Sequence, residues 1–381
     1  MNRWLLPVEA GLVRPESAAE VISPAYDLYP PPERLRIAQA RPRNFLNATL
    51  SEEDYPHLEI ERRRLEARDY LSRELDSDTW RFGGEALAIL RLESGGHVQT
   101  GVVGDVPGLA FPGVVRPHED TRPRRVADLA DYLEAVGYGS SPVGLTYRRR
   151  PAVDSLVARL TERDPDLDVT LDDGDRQIVW LVRDPHDLEG LVAAFAEVPA
   201  AYIIDGHHRV AATVQRGADP QIAAGRFLAV VFPDDDLMVY PFHRWIDGDL
   251  DMPEASQGEP GTDPLRPSPG LAVAVTRAGE WLIDLAADPD EADVAALARR
   301  VLGPHLGVGD ERTDPRIVFI PGFPDSSVLR TKVTEEGGVG LLLHPSSVEE
   351  VMAVSDRGGV MPPKATFFSP KPRSGMFLVK R

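Results

Sequence analysis

The pattern of apolar and charged residues along the chain predicts a succession of amphipathic helices and buried strands. In residues 56–75, leucines recur among charged residues at a spacing typical of a surface helix with one apolar stripe. These leucines are Leu58, Leu65, Leu71 and Leu75. The apolar runs 86–92 and 98–103 flank Ser94-Gly95-Gly96, and a short glycine turn between two such runs predicts a β-hairpin.

Similar patterns divide much of the remaining chain into short elements. The predicted helices are 126–136, which ends at Gly137, 154–162, 185–198 and 289–302. The predicted strands are 178–182, 202–204, 227–232, 237–240, 271–284, 316–321 and 339–344. Strands and helices that alternate this closely favour a mixed α/β (α+β) fold class.

Three local patterns give predictions of their own. Pro233-Asp234-Asp235-Asp236 has a turn composition and is expected to join the strands on either side as a second hairpin. Ser346 with Glu349 three residues later forms a predicted capping box at a helix start. Residues 1–55 show little regular pattern but contain two compact loops, Ser23 to Tyr29 and Arg41 to Asn47.

A change of composition predicts the domain organisation. Residues 247–269 are rich in Asp, Gly, Pro and Ser and contain few apolar residues, which is typical of a linker. The expected domains are an N-terminal catalytic core at 1–246 and a C-terminal α/β lobe at 270–381. The tail at 359–372 is too apolar and proline-rich for a frayed terminus. We expect it to dock back on the site, either as a wall of a nucleotide pocket or as a packed terminal strand.

Composition and charge exclude several classes of function. The chain has 42 Lys and Arg against 61 Asp and Glu, a net charge of −19, which argues against a general nucleic-acid-binding surface. It has no cysteine, so disulfides, zinc–thiolate sites and thiol nucleophiles are excluded. No apolar run approaches membrane-spanning length and no targeting segment is evident. The expected location is the cytoplasm, with no membrane partner.

The stretch 202–213 carries the most specific chemistry. Its apolar residues 202–204 predict a buried strand, and the alanine-rich segment after Arg209 favours a helix, so Asp205 to Arg209 form a strand-to-helix turn. A helix start presents backbone N–H groups and the positive end of its dipole, and Arg209 adds a guanidinium, which together suit a phosphate. Asp205 can hold a magnesium ion or accept a proton. The alternative is that Asp205 only caps the helix.

Further candidate residues lie in three other segments. The loop at 114–122 contains His118 and Glu119 beside hydroxyl and guanidinium groups, the side-chain types used in phosphoryl transfer, although it can equally be a surface loop of mixed charge. Arg43-Asn44 can line a polar pocket or belong to a basic loop whose apolar neighbours reach the core. Lys364 and Lys371 are two of only four lysines in the chain, and the alternative for both is a solvated surface charge.

Six segments taken together resemble the family catalogued as domain of unknown function 1015 (DUF1015). They are Ala25-Tyr26-Asp27, Arg41 to Leu46, Arg116 to Thr121, Asp205 to Arg209, Phe227 to Phe232 and Met361 to Lys371. The resemblance implies a ParB/sulfiredoxin-like core with a phosphate site at the Asp-Gly-His-His-Arg turn. It also implies a relation to an archaeal branch of ATP-dependent kinases that phosphorylate free L-serine. The tail departs from the family pattern at Ala365 and Ser369.

The activity implied by the resemblance is phosphoryl transfer from ATP, with Mg²⁺, to the hydroxyl of free L-serine or a similar small hydroxy amino acid. The expected roles can be stated residue by residue. Gly206 and Arg209 bind phosphate, and His207 and His208 surround the transferred group. Asp205 and Glu119 are the metal ligand and the base, in either order, and His118 supports them. The residues expected to bind the nucleotide or the substrate carboxylate are Arg43, Asn44, Lys364 and Lys371.

Other functions of the same fold can be weighed on the same residues. A ParB-like DNA-binding protein would need a basic helix-turn-helix region, which the sequence lacks, and a sulfiredoxin-type reductase would need the absent cysteine. The main alternative is a catalytically silent nucleotide-binding or regulatory protein. The oligomeric state stays open, with a homodimer as one option.

Overall fold

The computed structural model describes residues 3–24, 26–49, 51–217, 225–249, 267–285, 291–322 and 326–381. Within them the strands are β1 (Ala10–Val13), β2 (Trp80–Arg81), β3 (Leu87–Ser94), β4 (His97–Pro107), β5 (Val115–Arg116), β6 (Tyr138–Gly139), β7 (Val143–Tyr147), β8 (Leu167–Thr170), β9 (Arg176–Val182), β10 (Ala201–Asp205), β11 (Arg226–Pro233), β12 (Met238–Tyr240), β13 (Phe242–Ile246), β14 (Leu271–Thr276), β15 (Gly279–Asp284), β16 (Ile317–Pro321), β17 (Val339–Leu343), β18 (Phe367–Ser369) and β19 (Phe377–Lys380).

The helices alternate with these strands along the chain. They are α1 (Pro15–Val21), α2 (Pro31–Ala40), α3 (Leu46–Thr49), α4 (Ile60–Asp76), α5 (Pro123–Val136), α6 (Pro151–Leu160), α7 (Pro185–Ala196), α8 (His207–Gly217), α9 (Asp293–Leu297), α10 (Gly303–Leu306), α11 (Ser327–Glu336) and α12 (Val348–Asp356), with a π-helical turn at Ala298–Leu302. None of the described helices is long and apolar enough to cross a bilayer. The fold class is mixed α/β with several sheets, as predicted.

The chain divides into two compact units. The first contains Met1–Pro117, Thr121–Leu237 and Pro370–Arg381, and the second contains His118–Asp120 and Met238–Ser369. The domain limits predicted from the sequence stay a prediction, and residues 250–266 of the predicted linker lie outside the described residues.

An eight-stranded mixed sheet forms the centre of the first unit, in the order β5-β10-β7-β11-β4-β3-β9-β8. Strand β10 runs parallel to β5 and antiparallel to β7, so the carboxyl end of β10 lies at the same sheet edge as that of β5. Strands β3, β10 and β11 of this sheet are mostly apolar and buried. The predicted phosphate-binding turn, residues 205–209, follows β10.

Two other features complete the first unit. Helices α5 and α8 pack together through Val126 and Ala130 of α5 and Ala212 of α8. A four-stranded sheet in the order β2-β1-β19-β6 places the C-terminal strand β19 beside the N-terminal strand β1, with Gly11 opposite Leu378. The segment after Ser369 is therefore anchored at its far end by a strand pair.

The second unit is built on a five-stranded antiparallel sheet in the order β15-β14-β17-β13-β16. Helix α11 packs against this sheet, and Leu329 and Val333 of the helix join Trp245, Ile320 and Leu342 of the strands in one apolar cluster. A separate two-stranded sheet pairs β12 with β18. The tail segment 359–369 of this unit is thus a packed strand with its approach, which is one of the two alternatives that the sequence left open.

Several predicted elements are confirmed. Helix α5 ends at Gly137 in the left-handed conformation with φ +74°, the usual reason for glycine at this position. Strands β3 and β4 form the predicted hairpin, and Gly95 and Gly96 both have positive φ, +57° and +85°. A two-residue turn of the I′ type needs this conformation at both positions.

Two local predictions are wrong for identifiable reasons. Strands β11 and β12 do not form a hairpin, since β11 pairs with β4 and β7 while β12 pairs with β18. The capping box is displaced by one residue: Ser347 Oγ accepts from Glu350 N at 3.1 Å, and Glu350 Oε2 accepts from Ser347 N at 2.6 Å. Because two serines and two glutamates adjoin one another there, both pairs have the same spacing.

Helices also form in the N-terminal region, where the sequence shows little regular pattern. Residues 10–49 contain β1 and the helices α1, α2 and α3. Helices α1 and α2 begin at prolines and lack a side-chain cap, and the buried positions of α2 are Arg34 and Ala38. Neither helix therefore carries the apolar stripe or the cap that a periodicity search detects.

Candidate functional site

Strand β10 delivers Asp205 to the sheet edge through a β-bulge. Residues 201–204 are buried in the sheet, and the register with β7 shifts so that Ile203 lies opposite Leu145 while Asp205 lies opposite Gly144. A bulge of this kind turns a strand end and redirects the side chain that follows. A Cβ atom at Gly144 would lie 3.0 Å from Ile204 and 3.4 Å from the Asp205 side chain, so the absent side chain makes room for the bulge.

Gly206 connects this strand end directly to helix α8. Its φ is +97°, a conformation that is strained for residues other than glycine. Its carbonyl oxygen accepts the first helical hydrogen bonds, from Arg209 N at 2.9 Å and Val210 N at 3.1 Å. The helix therefore begins at His207, within the predicted turn 205–209 and three residues before the predicted helix start at 210. The start of a helix is the end that attracts anions.

Two cations converge on the carboxylate of Asp205. Lys371 Nζ donates to Asp205 Oδ1 at 3.1 Å, and the guanidinium of Arg209 pairs with Asp205 Oδ2. The side chain of Lys371 is only 11% exposed, whereas those of Asp205 and Arg209 are each 29% exposed. The arrangement is a partly exposed carboxylate held between two positive charges.

These contacts determine the protonation state of Asp205. Burial raises the pKa of the Asp205 carboxyl, but the charges of Lys371, Arg209 and His207 outweigh burial and hold that pKa well below its usual range. Asp205 is therefore ionised at neutral pH. A carboxylate with a lowered pKa is a weak proton acceptor but a good counter-ion.

The two histidines of the turn have different surroundings. His207 is buried in the first turn of α8 and contributes to the low pKa of Asp205. His208 is half-buried, and its Nε2 atom accepts a hydrogen bond from the backbone N of Arg122 at 3.0 Å. Since Nε2 acts as the acceptor, the neutral ring carries its proton on Nδ1.

His118 lies in the second unit and is almost completely buried. Its Nε2 atom lies 3.4 Å from Thr366 Oγ1, its ring packs edge-on against Phe368, and its carbonyl oxygen accepts from Met361 N at 2.7 Å. Glu119 is half-buried beside it. The tail segment 361–368 thus holds the predicted His118 loop in place through two side chains and one backbone bond.

The other predicted ligands have structural partners. Arg43 pairs with Glu20 and Glu74, and Asn44 is fully buried and donates to the carbonyl oxygen of Ile22 at 3.2 Å. These contacts supply a structural role for Arg43 and Asn44, whose nucleotide-binding role stays a prediction. Lys364 is exposed in the second unit, and its Nζ lies 4.8 Å from the centre of the Phe242 ring.

Some residues with evident structural roles near these groups were missed by sequence reasoning. Arg122 acts through its backbone and Thr366 through a hydroxyl, and neither role has a signature in a single sequence. Arg244 is the third, a buried side chain on β13. No cluster of three or more His, Asp or Glu suited to a metal ion occurs within the described ranges.

Comparison with protein families identifies the group to which the chain is related. The family described as "Protein of unknown function (DUF1015)" matches residues 5–257, well over half of the chain. The chain belongs to this family. The match includes the Asp205 turn and the His118 loop, and it ends before the tail that carries Lys371. No curated protein matches the chain.

Solved structures similar to this DUF1015 protein are distant. A free serine kinase in complex with AMP is 16% identical, with 70% of this chain and 86% of that chain covered and a TM-score of 0.38. A conserved hypothetical protein from Pyrococcus furiosus is 15% identical over 73% and 95% of the two chains, with a TM-score of 0.40. SbnI with a C-terminal truncation, from Staphylococcus aureus, is 14% identical over 71% and 85%, with a TM-score of 0.39.

Proposed function

We propose that the Asp205 turn binds the phosphate groups of ATP and that the protein transfers a phosphoryl group to the hydroxyl of free L-serine or a similar small hydroxy amino acid. The observation that carries the proposal is the convergence of Arg209 and Lys371 on Asp205 at a helix start. Phosphoryl transfer requires little covalent participation by the protein, but it requires positive charge around the transferred group. Family membership is consistent with the kinase activity expected from the motifs.

The geometry supports a binding role for both cations. Arg209 presents a fork of donors that matches two phosphate oxygens, and Lys371 adds a single charge on a flexible stem. Their present anionic partner is Asp205, and the 29% exposure of its side chain would give a phosphate access to the two cations. A phosphate at this position would also lie at the positive end of the α8 dipole. His207 and His208 would surround the same group.

The low pKa of Asp205 helps to divide the acidic roles that the sequence left open. A permanently ionised carboxylate between two cations is better suited to orienting charges or a metal than to accepting a proton. We therefore assign the proton-accepting role to Glu119, with His118 as its support. This assignment is tested by substitution of each carboxylate separately.

The turn offers one ionised carboxylate, that of Asp205, as a protein ligand for Mg²⁺. Mg²⁺ usually takes one or two carboxylates and completes its shell with water and substrate phosphates, and Asp205 is ionised and half-exposed. When bound with ATP, the ion would neutralise charge on the phosphates. Asp205 is the residue proposed to hold it. What the chain itself contributes is the orientation of Arg209 and Lys371 by Asp205.

An assay of the intact protein tests the proposal. Purified protein is incubated with Mg²⁺, ATP and, separately, serine, threonine, homoserine and glycerol, and products are followed by mass spectrometry. The proposal predicts a phosphate ester of serine or of one of the similar amino acids, with an equal amount of ADP. Binding of ATP without any ester would instead support the catalytically silent nucleotide-binding protein.

A further inference from the structure

A buried arginine in the second unit has no role in the proposed chemistry. Arg244 lies on β13 and its side chain is 0% exposed. Burial of a guanidinium is costly unless it is paired and fully hydrogen-bonded. Its pKa is lowered by this burial, which the neighbouring carboxylate of Glu311 opposes. The hydrogen bonds of the buried guanidinium show which parts of the protein it stabilises.

Arg244 forms hydrogen bonds with its own strand, with Glu311 and with the tail segment. Its Nε donates to Glu311 Oε2 at 3.1 Å, and Nη1 donates to the carbonyl oxygen of Phe242 at 2.6 Å. The remaining donors reach the carbonyl oxygens of Pro363 at 3.2 Å and Lys364 at 3.4 Å. One buried guanidinium therefore binds the carbonyl groups immediately before and after the Cα atom of Lys364.

Lys364 has an unusual backbone at this point. Its φ is +55°, and within the described part of the chain only Asp78 is another non-glycine residue with positive φ. A lysine in this conformation is strained and persists only where its surroundings impose it. The ammonium group is held over the face of Phe242, as a cation–π contact. The backbone conformation of Lys364 and its contact with Phe242 together determine the position of its ammonium group.

We propose that Arg244 is a positioning residue that holds Lys364 in the left-handed conformation, so that its ammonium group can bind an anionic group of the substrates. This inference rests on the proposed kinase function. The anionic group is either a nucleotide phosphate or the carboxylate of the amino acid, and the two sources are distinguished by their separate KM values. Arg244 acts only through Lys364 and touches neither substrate.

A comparison of glycine with alanine at position 364 tests the positioning without any assay of activity. Lys364→Gly and Lys364→Ala both remove the ammonium, but only alanine is strained at positive φ. We expect the glycine variant to have the higher Tm when Arg244 is present. In an Arg244→Met background, or in Arg244→Lys if that folds better, the advantage of glycine shrinks or reverses. An equal advantage in both backgrounds would overturn the inference.

Kinetic coupling tests the functional part. Arg244→Met and Lys364→Met should each raise the same KM, for ATP or for serine, by about 10-fold, and the double variant should raise it no further. Arg316→Met is the matched control, because Arg316 pairs with Asp314 and donates to the carbonyl oxygens of Leu306 and Gly307 in the same unit. It should leave both KM values unchanged.

The kinetic outcomes separate this inference from the kinase proposal. Additive effects on KM, or an effect of Lys364→Met that Arg244→Met does not share, would contradict the positioning role. No effect of either variant on KM would contradict it as well. Absence of turnover in the wild-type protein would refute the kinase proposal alone, since the glycine and alanine comparison still measures whether Arg244 imposes the conformation of Lys364.

Discussion

Lys371 Nζ donates to Asp205 Oδ1 at 3.1 Å although 166 residues separate the two in sequence. Arg209, four residues after Asp205, pairs with the other oxygen of the same carboxylate. The C-terminal segment therefore completes the charge arrangement at the start of α8, and strand β19 anchors that segment beside β1. The turn alone would present one cation to an anion, and the tail supplies the second.

Removal of the second cation should weaken phosphate binding. We expect Lys371→Met to lower the affinity for tripolyphosphate and for ADP by about 10-fold, the loss of one charge-assisted contact. Isothermal titration calorimetry measures this. Lys380→Met is the control, because Lys380 is an exposed lysine in β19 of the same unit. Equal losses in the two variants would indicate a general effect of charge and contradict the specific role of Lys371.

The two carboxylates should be needed for turnover. We expect Asp205→Asn and Glu119→Gln each to lower kcat by at least ~100-fold, the usual scale for an acid–base or charge-orienting role. The measurement is steady-state formation of the phosphate ester. Circular dichroism checks that each variant is folded. Rates near that of the wild-type protein in both variants would remove these residues from the mechanism.

The glycine of the turn should tolerate no side chain. A Cβ atom at Gly206 would lie 2.8 Å from Arg209 Nε and Nη2, in addition to the strain of φ +97°. Gly206→Ala should therefore destabilise the protein by about 1–3 kcal/mol and displace Arg209, so that affinity for tripolyphosphate falls. Gly84→Ala has a similar φ of +82° with no atom within 4 Å. It should share the loss of stability and keep the affinity.

His243 should make stability depend on pH. Burial, with the charges of Arg244 and Arg330, lowers the pKa of His243 to about 4, below the ordinary value of an unfolded histidine. The unfolded chain therefore binds the proton first, and stability falls as the pH drops from about 6.5 towards 4, by at most about 1.4 kcal/mol per pH unit. Urea unfolding across this range measures the slope.

A matched substitution isolates this histidine. His243 Nδ1 accepts a hydrogen bond from Leu343 N at 3.3 Å, and a glutamine oxygen can take over that role. His243→Gln should therefore fold and show a smaller loss of stability between about pH 6.5 and pH 4.5 than the wild-type protein. Parallel curves for the two proteins would show that His243 does not titrate in this way.

Much of the local structure follows from the sequence because it depends on neighbouring residues. Gly137 ends α5, and Gly95-Gly96 turn β3 into β4, since glycine is needed where φ is positive. The strand-to-helix turn at Asp205 to Arg209 was also predictable, because an apolar run there meets an alanine-rich segment. The first helices were missed because a buried position in α2 is an arginine, Arg34.

The remaining features depend on distant contacts that one sequence does not encode locally. β11 and β12 look like a hairpin, but β12 is paired by β18 from the tail. The pairing of Lys371 with Asp205 likewise depends on the position of the C-terminal segment that follows β18. The strain at Lys364 has no sequence signal, because we infer that it is imposed by the guanidinium of Arg244 on strand β13, 120 residues earlier in the chain.

The central claim is that ATP donates a phosphoryl group to a small hydroxy amino acid at this site. Phosphorus NMR of the purified protein with Mg²⁺, ATP and L-serine, repeated with the Asp205→Asn variant, tests it most directly. The account predicts that a phosphomonoester signal and ADP appear together in equal amounts with the wild-type protein and at least ~100-fold more slowly with the variant. Unchanged ATP, or inorganic phosphate formed equally with and without the amino acid, would contradict it.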